Sequence, residues 1–260
     1  MSLSWRERLV ATLTPGGVQV RRMPPFWRRE RREDQRLDCP SDEGGEPWRA
    51  PLSRLAPLLK KNTELEVVLS SHFVRLQLLP WQAELRTREE MQAYAGFRFH
   101  EIYGALADAW DIVWSAEPPG QASVACAVDR TLLTALRELA RERACRLVSV
   151  QPAFALAWNR HREALRGPAG AFVLAEPGRL CAGLCRGGEW FALRNQVVGE
   201  EGFSAALPAL LEQQMLLADA AVAGGEVLVA GLDGAPLGDI SGLPAGWSLC
   251  RIAAATGRKS

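Results

Sequence analysis

The sequence predicts an α/β protein built as two related halves, and three observations predict it. Strand pairs joined by tight turns and followed by helices occur twice, once before and once after Arg166-Gly167-Pro168. The hydrophobic period switches between about 2 and about 3.6 residues, as strands alternating with helices require. The chain has 260 residues, 48% hydrophobic and 23% charged, enough to bury one large core or two small ones without disulfide or metal staples.

Taken in order, Leu9–Thr12 is a short strand, Thr14-Pro15-Gly16-Gly17 supplies turn chemistry, and Val18, Val20 and Met23 alternate with polar residues. Leu9–Arg22 therefore reads as a hairpin. Residues 24–51 carry Arg28, Arg29, Arg31 and Arg32 among Glu30, Glu33 and Asp34, then Pro40, Ser41, Asp42, Glu43 and two glycines. They show no hydrophobic period and are expected to form a long exposed loop. Its arginines suit an acidic partner or an anionic lipid surface, and its interspersed acids suit plain solvation. Leu52–Leu59 is a short amphipathic helix. Leu65–Leu69 and Phe73–Leu79 are strands around the polar Ser70-Ser71-His72, closed by Pro80-Trp81.

Arg88–Leu106 places Met91, Tyr94, Ala95, Phe99 and Ile102 on one helical face. Asp111–Trp114 and Ser123–Val128 are strands across Glu117-Pro118-Pro119-Gly120. Asp129 can cap a helix over Arg130–Ala144 with Leu132, Leu133, Leu136 and Leu139 inward. Cys145–Val150 is a strand, and Pro152 opens a helix to about Leu165. Ala171–Ala175, Arg179–Cys185 and Trp190–Arg194 form three antiparallel strands with turns at Pro177-Gly178 and Gly187-Gly188. A helix from Phe203 to about Ala223, a strand Glu226–Ala230, a turn at Leu232-Asp233-Gly234 and a last strand Trp247–Ile252 complete the chain, with a fraying tail from Thr256.

Lys and Arg number 31 against 30 Asp and Glu, a formal net charge of +1, which argues against a nucleic-acid binder. No apolar run reaches the ~18–20 residues of a membrane span, and Arg6, Glu7 and Arg8 stand where a signal peptide needs apolar residues. The expected location is the cytoplasm. The six cysteines are scattered, with no C-x-x-C, and are expected to be buried thiols. Cys181 and Cys185, read as strand and turn, would need two further ligands to hold zinc, and the only histidines are His72, His100 and His161. No metal and no cofactor are expected.

No histidine has the nucleophile and orienting acid that general-base catalysis needs, so no enzyme activity is expected. His72 reads as a turn residue, or with Ser71 and Phe73 as part of a partner groove. His100 lacks a second histidine at helical spacing, and His161 sits at a helix end where the dipole favours a cation. Trp81, Trp110, Trp114, Trp158 and Trp190 divide between core and interface. Leu79-Pro80-Trp81 is the strongest interface candidate, because proline fixes the chain and an exposed indole can anchor a partner. The Gly16-Gly17 and Gly187-Gly188 turns suit either an anion or an ordinary hairpin.

The order of elements resembles the actin-like ATPase superfamily, and within it the degenerate members of pilus and secretion assembly, the PilM proteins and the cytoplasmic domain of GspL. The hairpin Leu9–Val20 resembles the first phosphate hairpin, and Val67–Trp81 the opening of the inserted subdomain. Phe172–Leu180 with Gly188–Arg194 resembles the second phosphate hairpin, and Val227–Gly234 the adenosine-side strand and turn. The resemblance covers most of residues 5–254 in order of elements. It implies an actin-like (ASKHA, ribonuclease H-like) two-half fold with an inserted small subdomain. Residues 1–23 and 52–166 form the first half, including an insert over about 64–128, and 167–255 form the second.

The departures decide the functional expectation. An active member has an Asp in its first hairpin and Asp-x-Gly in its second, to hold magnesium and admit phosphates to backbone N–H groups. Here Thr12 and Thr14 stand in the first hairpin. Glu176-Pro177-Gly178 stands in the second, where Pro177 removes a donor. Leu232, after Ala230-Gly231, would crowd a nucleotide. The implied function is a non-catalytic cytoplasmic scaffold peripheral to the inner membrane, binding a pilus or type II secretion partner through Leu79, Pro80, Trp81, His72 and Phe73. Thr14, Gly16, Gly17, Glu176, Gly178 and Gly231 form the degenerate nucleotide cleft. The alternative is an ATP-binding switch without strong hydrolysis.

Overall fold

The computed structural model describes residues 6–23, 33–39, 45–165, 169–199, 202–217, 224–231, 240 and 242–251. They divide into two compact units, one of Met1–Val74, Asp108–Asp111 and Ala127–Ala153, the other of Arg75–Ala107, Ile112–Cys126 and Phe154–Ser260.

The first unit is built on β1 (Arg8–Thr14), whose inward residues Leu9, Ala11 and Leu13 are fully buried and alternate with half-buried ones. It pairs antiparallel with β2 (Gly17–Met23) and parallel with β4 (Glu64–Leu69). β3 (Glu33–Asp38) extends the sheet beyond β2, and β8 (Arg146–Pro152) extends it beyond β4, giving the order β3-β2-β1-β4-β8. Helix α1 (Arg49–Leu55) packs on β1 and β2, and α3 (Arg130–Glu142) on β8. Asp129 caps α3, its Oδ1 accepting from the Thr131 N–H at 2.7 Å.

The expected loop over 24–51 is corrected by β3 and α1. β3 exposes five of its six residues, so neither face carries a hydrophobic period that sequence can display. Backbone pairing to β2 holds it, with Arg21 gripping Asp34 through two hydrogen bonds at 2.8 and 3.2 Å. Residues 24–32, including Arg28, Arg29, Arg31 and Arg32, and residues 40–44 lie outside the described residues. Pro152 closes β8, and the following helix α4 (Ala153–His161) starts after it.

In the second unit, β9 (Ala169–Glu176), β10 (Arg179–Arg186) and β11 (Glu189–Val197) form the expected antiparallel meander. β12 (Gly225–Gly231) pairs parallel with β9, and β13 (Trp247–Arg251) parallel with β12, giving β11-β10-β9-β12-β13. Helix α5 (Gly202–Leu217) buries Leu207, Leu210 and Leu211 on one face of this sheet, against Ala171, Val173, Ala182 and Val227. A smaller sheet of β5 (Val74–Leu79), β7 (Ser123–Asp129) and β6 (Trp110–Trp114), in the order β5-β7-β6, carries α2 (Arg88–Tyr103) in its sequence. Thr87 and Glu90 start α2 with a reciprocal capping box.

The face of the β9–β13 sheet opposite α5 is aromatic. Phe154 and Trp158 of α4 meet Phe172 of β9 at 5.3 and 5.5 Å between ring centroids, and Trp158 meets Trp190 of β11 at 4.5 Å. Gly183, paired to Phe172, leaves the space that the Trp190 ring fills. A Cβ at 183 would lie 2.9 Å from Trp190 Cε3 and closer still to Cζ3. Gly183→Ala is therefore expected to destabilise the protein by about 1–3 kcal/mol through overpacking, read as a lower denaturation midpoint in urea with an unchanged slope.

Candidate functional site

Ligand sites in open α/β sheets lie at the carboxyl ends of the parallel strands. In the first unit that end is the β1–β2 turn together with the turn after β4. Leu13 pairs with Leu69, and the Ser70 N–H donates to the Leu13 carbonyl at 3.0 Å. Thr14, Gly16 and Gly17 thus share one end of the sheet with Ser70, Ser71, His72 and Phe73, which the sequence had put in a separate groove. The groups here serve the turns. The Thr14 hydroxyl donates to the Gly17 carbonyl at 3.1 Å, the Cys39 N–H donates to the Gly16 carbonyl at 2.8 Å, and Ser70 Oγ accepts from the His72 N–H at 3.2 Å.

Gly17 answers to packing: a Cβ there would collide with the Leu37 carbonyl oxygen of β3. β3 also brings Asp38 opposite Gly17, an acid that sequence reasoning missed because its strand has no period. Arg36 Nε holds its carboxylate at 3.0 Å on an exposed surface.

In the second unit, Gly231 pairs with Ala175, so Glu176, Gly178 and Gly231 come together at one sheet end. Gly178 takes a positive φ of 71° in the turn, which glycine adopts without strain. Glu176 is buried, and Arg179 begins the next strand. Burial and the charge of Arg75 lower the Arg179 pKa, and Glu176 acts in the opposite direction. Arg179 Nη1 donates to Asn195 Oδ1 at 3.4 Å. Two guanidiniums and one buried carboxylate make this turn cationic, the reverse of a magnesium site. Among the described residues no three His, Cys, Asp or Glu gather as metal ligands. Residues 232–239, with Leu232, lie outside the described residues.

The proposed partner residues do not form one surface. His72 and Phe73 precede β5, whereas Leu79, Pro80 and Trp81 end it, a strand of six residues or about 20 Å away. Phe73 and Leu79 are buried, and so belong to the core because their side chains face inward. Trp81 is 49% exposed and Pro80 is exposed beside it. His161 departs from its expected stabilisation as a cation, since burial and the neighbouring Arg160 lower its pKa. Cys181 and Cys185 both lie within β10, where the expected strand Arg179–Cys185 put them, and both are buried.

The two five-stranded sheets follow one plan. Each sets three antiparallel strands beside two parallel ones, with the first strand of the meander at the centre. The fold is actin-like. A Bacteroides thetaiotaomicron protein of unknown function with an actin-like ATPase fold matches 90% of this chain over 84% of its own, with a TM-score of 0.61 and 12% identity. The cytoplasmic domain of EpsL, an inner-membrane component of the Vibrio cholerae type II secretion system, matches 95% of this chain over 90% of its own, with a TM-score of 0.58 and 12% identity. The PilM–PilN type IV pilus biogenesis complex matches 86% of this chain over 81% of the other, with a TM-score of 0.60 and 12% identity. No protein-family model and no curated protein sequence matches the chain.

The actin-like core also grades the thiols. Burial pushes Cys126 up to about 12 and holds Cys181 well above the ordinary thiol range, whereas Cys145 and Cys250 are only half-buried. Since the thiolate is the nucleophile, iodoacetamide at neutral pH is expected to modify Cys145 and Cys250 first. Cys126 and Cys181 should react only in denaturant, as mass spectrometry of the digested protein will report.

Proposed function

We propose that this chain is a non-catalytic scaffold of an inner-membrane assembly platform for a pilus or a type II secretion system, working in the cytoplasm and binding a peptide or domain of a membrane partner. The observation that carries this reading is an actin-like plan whose second hairpin turn presents Arg179 around a buried Glu176, where a magnesium–triphosphate site needs exposed acids. The likeness to the EpsL cytoplasmic domain and to PilM supports the setting. No helix among the described residues is long and apolar enough to cross a membrane, so in this reading a partner provides the link to the bilayer, with Arg28, Arg29, Arg31 and Arg32 adding attraction to anionic lipid. Trp81, half-exposed after Pro80, is the anchor on the partner side.

A second reading has one observation in its favour: Arg179 and Arg75 could hold the phosphates of ATP without a metal, making the chain a switch. Two measurements separate the readings. Calorimetry with ATP and magnesium is expected to give no saturable heat at micromolar protein. Saturable heat abolished by Arg179→Ala would transfer support to the switch. Affinity purification of the tagged chain from its native cells is expected to retain an inner-membrane pilus or secretion component. Trp81→Ala should weaken that retention by roughly 30-fold, the loss typical of an interface hot spot. Recovery of no envelope-assembly protein would count against the scaffold.

A further inference from the structure

The sheet of the first unit has two ends, and the turns after β1 and β4 occupy one of them. At the other end β1, β4, β8 and β3 begin and β2 finishes. Arg8 pairs there with Met23 and with Glu64, Glu64 with Arg146, and Arg22 with Glu33. Backbone bonds tie the turn before β4 to the turn before β8. The Asn62 N–H donates to the Ala144 carbonyl and the Arg146 N–H to the Thr63 carbonyl, both at 2.9 Å. The Cys145 thiol donates to the Lys60 carbonyl at 3.0 Å. Asn62 and Ala144 take positive φ of 68° and 51°, the only described residues other than glycine to do so. Side chains disfavour that conformation, so the corner is held by its surroundings and is not free to spread.

Cations crowd this fixed corner. Lys60, Lys61, Arg141, Arg143 and Arg146 are all exposed, with Glu142 among them. Glu64 lies 3.8 Å from Arg146, and the other four cations have no ion-pair partner among the described residues. Across the rest of this end, Arg8, Arg21 and Arg22 meet Glu66, Asp34 and Glu7, and Arg6 and Glu33 are exposed. That part is close to neutral, so the excess positive charge sits between β4 and β8. The dipole of α3 accounts for Arg141 and Arg143 near its carboxyl end. It does not account for Lys60 and Lys61, which belong to another turn and add repulsion. Gathered like charges cost stability unless something negative faces them.

Two observations choose what faces them. Residues 60–62 and 141–144 are exposed without exception, which makes the corner a projecting rim and not a cleft shaped for one ligand. Lysine is a flexible point charge without fixed bonding geometry, suited to a diffuse plane of negative charge. The second observation is connectivity. Residues 24–32 leave the sheet after Met23 and return at Glu33, at this same end. Their sequence, Pro-Pro-Phe-Trp-Arg-Arg-Glu-Arg-Arg, joins aromatic residues to arginines, the composition found at membrane–water interfaces.

We propose that this corner rests on an anionic phospholipid bilayer, with Lys60, Lys61, Arg141, Arg143 and Arg146 toward the headgroups. The proposal deepens the peripheral-membrane part of the scaffold reading and rests on it for which membrane is met. The turns Thr14–Gly17 and Ser70–Phe73, at the opposite end of the sheet, then face away from the bilayer.

The test is co-sedimentation of the full chain with vesicles of phosphatidylcholine and phosphatidylglycerol, against vesicles of phosphatidylcholine alone. Binding is expected to the anionic vesicles only, and is expected to fade as salt rises from about 0.05 to about 0.5 M and screening shortens the reach of surface charge. Lys60→Gln with Lys61→Gln should lower the partition coefficient about 25-fold, roughly fivefold for each cation near the surface. Arg49→Gln with Arg130→Gln removes the same net charge elsewhere. Arg130 starts α3, about 20 Å from its carboxyl end, and the neighbouring Thr131 reaches Glu46, the ion-pair partner of Arg49. This control should change partition less than about twofold. The melting temperature of the lysine variant should hold or rise as repulsion is relieved, which separates lost binding from lost folding.

Absent binding, equal binding to both lipid compositions, or equal losses in the two double variants overturns the proposal. Binding that survives the lysine changes but is lost when Arg28, Arg29, Arg31 and Arg32 become Gln puts the contact on residues 24–32 and overturns it as well. Absent vesicle binding, with an envelope protein lost from the affinity purification by the lysine changes, puts an acidic protein on this corner instead. Vesicle binding as expected, with no envelope protein in that purification, supports the lipid face and removes the platform reading alone.

Discussion

The parallel pairing of each meander's first strand with the strand that follows the next helix fixes the rest of this molecule. β1 is held between β2 and β4, and β9 between β10 and β12. A central strand has its whole backbone in ladders and both faces against side chains, so its sequence must be apolar where it is covered. β9 buries seven of its eight residues, and β1 buries every second one. With the central strand fixed, the turn that follows it has one place to go, the carboxyl end of the parallel pair. The positions of Thr14–Gly17 and of Glu176–Gly178 follow from core packing and owe nothing to a ligand.

That independence allows the turns to carry chemistry unrelated to nucleotide binding. The Thr14 hydroxyl closes its own turn, and Gly17 is required by the approach of β3. Removing acids from such positions leaves the sheet ladders intact, whereas Arg179 and Arg75 around the single carboxylate of Glu176 make the local charge positive. Stability and site chemistry thus reside on different residues, as they do wherever rigid elements hold variable loops.

Most elements were legible in the sequence because one of their faces is buried and displays its period. β1, β4, α3 and the β9–β11 meander were found within a few residues for that reason, and Asp129 announced its cap. β3 was illegible because both of its faces meet water, and Asp38 was lost with it. Ile102 was misread in a different way: its helical spacing implied core, but it opens onto a cavity mouth. Gln77 and Gln214 had no signal at all. A polar residue between apolar ones in a strand reads as its solvent face, and a glutamine in a helix reads as surface. Only the meeting of elements distant in sequence reveals that both are buried.

The doubled plan makes one comparison unusually direct. β3 and β11 hold the same rank, third in the meander and last in the sheet, yet they treat the edge differently. β3 reads Glu-Asp-Gln-Arg-Leu-Asp and guards its open edge with charge, which deters pairing with another chain. β11 begins Glu-Trp-Phe-Ala-Leu, buries Ala192 and Leu193, and leaves Val197 67% exposed near its end. An apolar edge of that length is an aggregation hazard unless something covers it. Here residues of β5, α2 and α5 border the same half-open cavity as Phe191–Arg194 of β11. The two edges of one plan are thus protected by different means, β3 by the charge of its own residues and β11 by the elements that border it.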